Sequence, residues 1–235
     1  MTSIPRLYVP AALGTDATIA GTPAQAHYLG TVLRCGANAP VRLFNGSDGE
    51  WQARIGELRR DRVTFAVETQ RRQQAPDPDL WLVFALLKRD ATDLVVQKAT
   101  ELGVSALHPI FTERTNAARI NEARLTAIAT EAAEQCERLT IPVLHPPRRL
   151  PDLLADWPPG RTLYAAIERS TAAPPRPTAK PAALLVGPEG GFTPAELDAM
   201  LRHPFVTAMS LGRRILRAET ACVAGLALLQ APWCG

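Results

Sequence analysis

The chain contains 235 residues, of which 46% are hydrophobic and 21% are charged, and its formal net charge at pH 7 is +3. This length leaves room for a sizeable core in one or two domains. No apolar run approaches the ~20 residues of a membrane-spanning helix, and the first residues lack the apolar segment of a secretory signal.

The N-terminal third is predicted to be a small β-rich domain that carries the excess positive charge. Residues 1–72 hold nine arginines and six acidic residues, whereas the rest of the chain is balanced. Alternating and apolar stretches predict strands at residues 6–9, 41–44, 50–58 and 62–67, with a helix at 23–33. Several short strands with one helix indicate a small barrel. The polar, proline-rich residues 73–79 are the predicted linker.

The remaining residues, 80–235, alternate between strands and helices. Strands are predicted at 80–87, 104–111, 161–167, 182–186 and 205–211, and helices at 92–102, 121–138 and about 218–230, with a proline-rich loop at 171–181. This alternation is typical of an α/β domain with a parallel sheet. In such a sheet, ligands bind at the carboxyl ends of the strands.

One of these strand ends carries the first candidate site. Residues 184–186 are aliphatic, and they lead into a turn with three glycines, a proline and Glu189. Thr193 then serves as N-cap of a helix, with Pro194 at the first helical position and Glu196 in the capping-box position. Glycines let the bare backbone approach a ligand closely. The alternative is a tight strand-to-helix turn with no ligand.

A second strand end, at residues 209–221, leads through a glycine turn and a basic loop into the last helix. Arg217 precedes that helix, where a cation is unfavourable for the helix dipole. A residue placed against its local preference is a hint of function.

Together, residues 184–197 and 211–221 resemble the C-terminal motifs of the bacterial 16S ribosomal RNA uridine-N3 methyltransferases, which belong to the SPOUT, or α/β-knot, superfamily. Five further segments resemble the same family in the same order: RLYVP at residues 6–10, HYLGTVLR at 27–34, VQKATELGV at 96–104, FTER at 111–114 and EQCER at 134–138. The resemblance spans nearly the whole chain.

The resemblance implies a domain organisation and an activity. Residues 1–72 would form a PUA-like RNA-binding barrel, and residues 80–235 a SPOUT domain with a C-terminal trefoil knot. The expected activity is methylation of N3 of a uridine in 16S ribosomal RNA with S-adenosyl-L-methionine as cofactor. We expect the small ribosomal subunit as partner, a homodimer, a cytoplasmic location, and neither a metal nor a membrane.

The resemblance and the motifs together nominate three groups of site residues. The predicted catalytic residues are Arg217, Glu189 and Arg114. The predicted cofactor-binding residues belong to the two strand-end loops and are Leu185, Val186, Gly187, Pro188, Glu189, Gly190, Gly191, Leu211, Gly212, Ile215, Leu216 and Thr220. The predicted RNA-binding residues are the arginines Arg6, Arg34, Arg42, Arg54 and Arg138.

Two residues depart from the family pattern, because Ala218 replaces a threonine and Leu139 a serine or asparagine. Each departure puts one polar contact in doubt.

Other catalytic classes lack their signatures. The chain has no GxGxxG, HExxH, GxSxG or P-loop motif, and its four cysteines are scattered without zinc-site spacing. Two alternatives stay open: a knot-fold enzyme that methylates another RNA nucleotide, and a non-catalytic RNA-binding knot protein.

Overall fold

The computed structural model describes residues 4–116, 119–168 and 181–230. The chain divides into two compact units. Unit 1 comprises residues 1–76 and 133–141, and unit 2 comprises residues 77–132 and 142–235. The predicted proline-rich loop lies outside the described residues, except for Pro181. The domain limits 1–72, 73–79 and 80–235 stay a prediction.

Unit 1 contains a five-stranded mixed sheet in the order β1-β3-β4-β5-β2. The strands are β1 (Arg6–Tyr8), β2 (Thr18–Ala20), β3 (Pro40–Phe44), β4 (Glu50–Leu58) and β5 (Val63–Arg72). β1 pairs with β3 in parallel, and the other pairs are antiparallel. Alternate side chains of β5 enter the core, because successive strand residues point to opposite faces. Three residues are too few for a clear alternation, so β2 was not predicted.

The predicted helix of unit 1 is split into two parts. The helix α1 (Pro23–His27) begins at a capping box of Thr22 and Gln25, and a π-helical turn follows at Tyr28–Val32. The side-chain nitrogen Nε2 of Gln25 also donates a hydrogen bond to the backbone carbonyl of Tyr8 at 2.8 Å. The helix start is therefore tied to the sheet by the residue that caps it.

A buried ion pair stabilises unit 1. Glu50 is fully buried, and its Oε2 atom accepts a hydrogen bond from Nε of Arg6 at 2.5 Å. The same arginine, 9% exposed, donates to the carbonyl of Ala133 at 2.7 Å and stacks over the ring of Phe44. We predicted that Arg6 contacts RNA. Its burial corrects this expectation, because the guanidinium is held by Glu50 and by the segment 133–141.

Unit 2 contains a parallel sheet in the order β12-β10-β11-β6-β7-β8, with β9 pairing further along β7. Its elements in chain order are β6 (Leu80–Ala85), α2 (Arg89–Glu101), β7 (Ala106–Phe111), α3 (Glu122–Gln135), β8 (Val143–Leu144), β9 (Arg148–Arg149), α4 (Leu150–Ala155), β10 (Thr162–Ala166), β11 (Ala182–Val186), α5 (Pro194–Leu201), β12 (Val206–Met209) and α6 (Ala218–Gln230). Residues 133–135 at the end of α3 belong to unit 1.

The centre of the sheet is buried on both faces. Every residue of β11 is buried, which explains its continuous apolar sequence. A Cβ on Gly225 of α6 would lie 2.7 Å from Leu184, so this helix packs closely on β11. The predicted α/β class is confirmed, and the trefoil knot stays a prediction. Within the described residues, no helix has the length and apolarity to cross a membrane.

A cluster of charged and aromatic side chains connects the starts of β6 and β10 with β7. Arg161 pairs with Asp79 through two hydrogen bonds of 2.6 and 2.7 Å and lies over the ring of Trp81. His108, 7% exposed, stacks on His145 with ring centroids 4.1 Å apart. Burial, reinforced by the charges of His145, Arg161 and Arg148, lowers the pKa of His108 to about 3.

Removal of the buried arginine in unit 1 should strongly destabilise the protein. An Arg6→Ala change leaves Glu50 charged and buried without its closest partner, and such losses typically cost about 3–5 kcal/mol. Chemical denaturation measures the free energy of unfolding. The matched control is Arg54→Ala, which removes an exposed pair with Glu68 at 2.7 Å and should cost less than about 1 kcal/mol. Equal losses in the two variants would contradict this account of Arg6.

His108 should make the stability depend on pH. The unfolded chain takes up a proton on this histidine below pH ~6.5, whereas the folded protein keeps it neutral until about pH 3. The free energy of unfolding should therefore fall as the pH is lowered through this window, by up to about 1.4 kcal/mol per pH unit from this group. Denaturation of a His108→Phe variant should show a weaker pH dependence. An unchanged pH dependence in His108→Phe would contradict this account.

Candidate functional site

A cleft of about 540 Å³ lies in unit 2 where β10, β11 and β12 end. These strands are neighbours, so the loops that follow them converge at one edge of the sheet. The volume falls within the range of small-molecule sites. Three loops, α5, α6 and one arginine line it: Arg114, Ala166, Ile167, Glu168, Val186, Gly187, Pro188, Glu189, Gly190, Gly191, Phe192, Leu197, Leu211, Gly212, Arg214, Ile215, Leu216, Arg217, Ala218 and Ala221.

The glycine turn after β11 requires glycine for two different reasons. A Cβ on Gly187 would lie 3.0 Å from the ring of Phe192, which is closer than a normal contact. Gly191 has a φ of +67°, a left-handed conformation that side chains disfavour. Its N–H donates to the carbonyl of Pro188 at 2.9 Å and closes the turn. The turn thus exposes backbone to the cleft in a defined shape.

The loop after β12 supplies an apolar wall and positive charge. Gly212 has a φ of +107°, with no heavy atom within 4 Å of where a Cβ would lie. Ile215 lines the cleft although 58% of it is exposed. A large apolar residue exposed beside a concave surface is typical of a ligand contact. Arg214 and Arg217 complete this wall.

Charged side chains of both signs surround the cleft. Arg114 reaches it from the loop after β7, and its Nη1 donates to the carbonyl of Gly190 at 2.7 Å. Arg217 and Glu189 are exposed lining residues on the loops after β12 and β11. Guanidinium and carboxylate groups on the loops after β7, β11 and β12 therefore line the same cleft.

Most of the predicted catalytic and cofactor-binding residues line this cleft, and two do not. Leu185 is fully buried in the core cluster that contains Val83 and Leu163. Its side chain does not line the cleft, because alternate residues of β11 face opposite sides of the sheet, and its predicted part in cofactor binding stays a prediction. Thr220 is an exposed residue of α6 and is not among the lining residues.

The sequence-based prediction missed the loop after β10. Ala166, Ile167 and Glu168 line the cleft because β10 lies between β11 and β12. The rule that ligands bind at carboxyl strand ends applies equally to this strand. The missing information was the strand order, which a linear pattern does not contain. Five more lining residues, on or next to the predicted loops, were not among the predicted site residues: Phe192, Leu197, Arg214, Ala218 and Ala221.

The remaining predicted RNA-binding arginines belong to unit 1. Arg42 lies 3.4 Å from Glu50, and Arg54 is held by Glu68, so part of their charge is neutralised. Arg34 is exposed, with a φ of +54°. Arg138 is half-buried and donates to the hydroxyl of Thr140 at 2.9 Å.

The two departures from the family pattern are both accommodated by burial. Leu139 is 6% exposed and packs with Phe44 and Ala133 in an apolar cluster of unit 1. Ala218 is also 6% exposed, and it lines the cleft at the start of α6. Apolar packing thus takes the place of a polar side chain at each position. No cluster of metal-ligating side chains occurs in the part of the chain that the structure describes.

Comparisons with known proteins agree with this geometry. A family model described as an RNA methyltransferase domain matches residues 73–230, and one described as an RNA methyltransferase PUA domain matches residues 22–68. Ribosomal RNA small subunit methyltransferase E of Rickettsia conorii is 33% identical over 231 residues, which cover 94% of this chain and 93% of that protein. The Synechocystis protein of the same name is 31% identical over 92% of this chain and 74% of its own length.

Solved structures with the same fold also include ribosomal RNA methyltransferases. A ribosomal RNA small subunit methyltransferase E from Neisseria gonorrhoeae, bound to S-adenosyl methionine, has a TM-score of 0.85 and 29% identity, with 98% of each chain covered. A Legionella pneumophila structure with the cofactor SAM bound has a TM-score of 0.85 and 28% identity, also over 98% of each chain.

Proposed function

The chain belongs to the ribosomal RNA small subunit methyltransferase E family, and from this membership we propose that it transfers the methyl group of S-adenosylmethionine to N3 of a uridine in 16S ribosomal RNA. The family predicted from the sequence is confirmed. The observation that supports the activity most directly is the cleft at the ends of β10, β11 and β12, because it combines exposed backbone, an apolar wall and flanking charges.

The cleft fits the proposed cofactor. The base and sugar of a nucleoside can form hydrogen bonds with backbone N–H and C=O groups. These groups are accessible at glycines such as Gly190 and Gly212, because no side chain covers them. The open space beside Gly212 and the exposed face of Ile215 would accommodate its apolar parts. Relatives of this fold have been solved with this cofactor bound. When bound, the cofactor supplies an electrophilic methyl group on a sulfonium.

Residues of this chain have to activate N3 of the uridine for attack on the methyl group. N3 of uracil carries a proton at neutral pH and is a poor nucleophile, so the reaction needs loss of that proton and stabilisation of the resulting anion. Arg217 would donate hydrogen bonds to the uracil carbonyl oxygens, over which the negative charge of the anion spreads. Glu189 is the weaker candidate for accepting the proton. Arg114 would orient the substrate or the turn.

Binding of the RNA would be shared between the units. Unit 1 contains the match to a PUA domain of RNA methyltransferases and the positive excess of the first 72 residues. We propose that it holds RNA phosphates, with the exposed Arg34 as one predicted contact. The substrate is then the small ribosomal subunit or its RNA, which would place the protein in the cytoplasm.

We also propose a homodimer. α2 and α6 pack against each other, and both leave large apolar side chains exposed. Leu94 is 41% exposed, Val223 is 36% exposed and Leu228 is 43% exposed. Cover by a second copy of the chain would remove this surface from water.

Arg217 should affect the chemical step more than cofactor binding. Loss of one preorganised donor to a developing anion typically lowers the rate by a factor on the order of 10²–10³. Arg217→Ala should therefore slow single-turnover methylation of purified small subunits by this factor, while calorimetry shows nearly normal binding of S-adenosylmethionine. Arg217→Lys should recover only part of the rate, because an ammonium lacks the forked geometry of a guanidinium.

The matched control is Arg213→Ala, an exposed arginine of the same loop that is not among the residues lining the cleft. Its rate should stay within about twofold of wild type, well below the effect expected of an oriented donor. Mass spectrometry of the digested RNA identifies the methylated base. A wild-type protein that binds RNA but neither binds the cofactor nor methylates would refute the enzyme and favour the non-catalytic alternative.

Light scattering at micromolar concentration should report a mass of about twice the 25.4 kDa of one chain. A glutamate in place of Leu228 should shift the protein toward the monomer, because it would place a charge in an apolar interface. Leu201→Glu, at a similarly exposed apolar residue of α5, is the control and should leave the mass unchanged. A wild-type protein that stays monomeric would exclude the proposed dimer.

A further inference from the structure

The side chain of Glu196 joins the loop after β7 to the helix that follows the glycine turn. Oε2 of Glu196 accepts a hydrogen bond from the N–H of Thr193 at 2.9 Å, which is half of the capping box of α5. Oε1 of Glu196 accepts a second hydrogen bond, also at 2.9 Å, from the N–H of Glu113. One carboxylate therefore caps a helix and holds a loop that is 83 residues away in sequence.

The loop that contains Glu113 is closed by two hydrogen bonds between Thr112 and Thr115. The hydroxyl of Thr115 accepts a hydrogen bond from the N–H of Thr112 at 2.9 Å, and the N–H of Thr115 donates to the carbonyl of Thr112 at 3.2 Å. These contacts enclose Glu113 and Arg114 in one tight turn. A displacement of Glu113 would consequently move Arg114 as well.

Arg114 connects this loop to the glycine turn of the cleft. Its Nη1 donates to the carbonyl of Gly190 at 2.7 Å. Its stem lies against the same residue, because a Cβ on Gly190 would lie 3.4 Å from Cδ of Arg114. The glycine turn is thus supported from the side of β7 by a hydrogen bond and by van der Waals contact.

The capping box of α1 shows why position 196 needs a carboxylate. There the amide oxygen of Gln25 accepts from the N–H of Thr22 at 2.9 Å, and the amide nitrogen donates to the carbonyl of Tyr8. The distant partner of Gln25 is an acceptor, so an amide suits it. The distant partner of Glu196 is an N–H group, and only a carboxylate offers two acceptor oxygens.

We propose that Glu196 is a positioning residue of the active site. It holds the loop at Thr112–Thr115 so that Arg114 supports the glycine turn in the shape that binds the cofactor. Glu196 acts through Arg114 and Gly190, and it does not touch the reacting groups. The inference rests on the proposed function, since it takes S-adenosylmethionine as the ligand of the turn.

Two alanine variants separate this role from helix capping. Glu196→Ala removes both the cap and the contact with Glu113. Thr193→Ala weakens the cap, by removing the 3.2 Å contact that its hydroxyl accepts from the N–H of Glu196, but leaves the contact with Glu113 in place. Both should lower the melting temperature by a few degrees. Calorimetric titration with S-adenosylmethionine should show about tenfold weaker binding for Glu196→Ala only, as expected for loss of a charge-assisted hydrogen bond.

A double-mutant cycle tests whether Glu196 acts through Arg114. In an Arg114→Ala background, the further change Glu196→Ala should weaken cofactor binding by less than about twofold, because coupled residues are not additive. Additive losses would overturn the proposal, as would equal weakening of binding in Thr193→Ala and Glu196→Ala.

Hydrogen exchange without any ligand keeps this test independent of the proposed function. The backbone N–H groups of Gly187 and of residues 189–192 should exchange faster in Glu196→Ala than in wild type, and at the wild-type rate in Thr193→Ala. Unchanged exchange in Glu196→Ala would refute the positioning role. Failure of the wild-type protein to bind S-adenosylmethionine, with the exchange result as expected, would instead refute the proposed function alone.

Discussion

The parallel alignment of β10 between β11 and β12 is the constraint on which the site depends. Ala165 of β10 pairs with Leu185 on one side and with Ala208 on the other, so the three strands end at nearly the same level. Three loops that are distant in sequence therefore converge on one cleft. β11 is apolar and fully buried, whereas β12 at the edge of the sheet is mostly not buried, and the glycine-rich and charged residues of the cleft lie beyond the strand ends. The alignment of these three strands therefore determines both the packing of the core and the location of the cleft.

The arginines of unit 1 show that net charge is a poor measure of a nucleic-acid surface. Arg6, Arg42 and Arg72 all lie within 4 Å of Glu50, with N–O distances of 2.5, 3.4 and 3.9 Å. A fully buried carboxylate needs such partners, because burial of an unpaired charge is very unfavourable. Much of the basic excess of the N-terminal third is therefore used inside the unit. The arginines that remain for RNA are the exposed ones, such as Arg34.

The sequence predicted the glycine turn and the helix start that follows it better than it predicted the smaller elements. The glycine turn and the capping box of Thr193 and Glu196 depend on contacts between near neighbours in sequence, and so their residue types are informative by themselves. The strands β2, β8 and β9 have two or three residues each, too few for a periodic pattern. The burial of Arg6 and the contribution of Glu168 to the cleft depend on partners far away in sequence. Such contacts are set by strand order, which the pattern of one chain does not contain.

The start of α6 carries the arginine that we propose for the reaction, at a position that local stability disfavours. Arg217 immediately precedes this helix, and a cation near a helix N-terminus typically costs about 0.3–1 kcal/mol. Glu219, in the first turn of the same helix, has the charge that the dipole favours there and offsets part of this cost. Ala218 between them is buried and carries no polar group that would need a partner. A short helix start can therefore present an exposed guanidinium to the cleft while its neighbours stabilise the fold, which is the arrangement expected when a residue serves the reaction and not the helix.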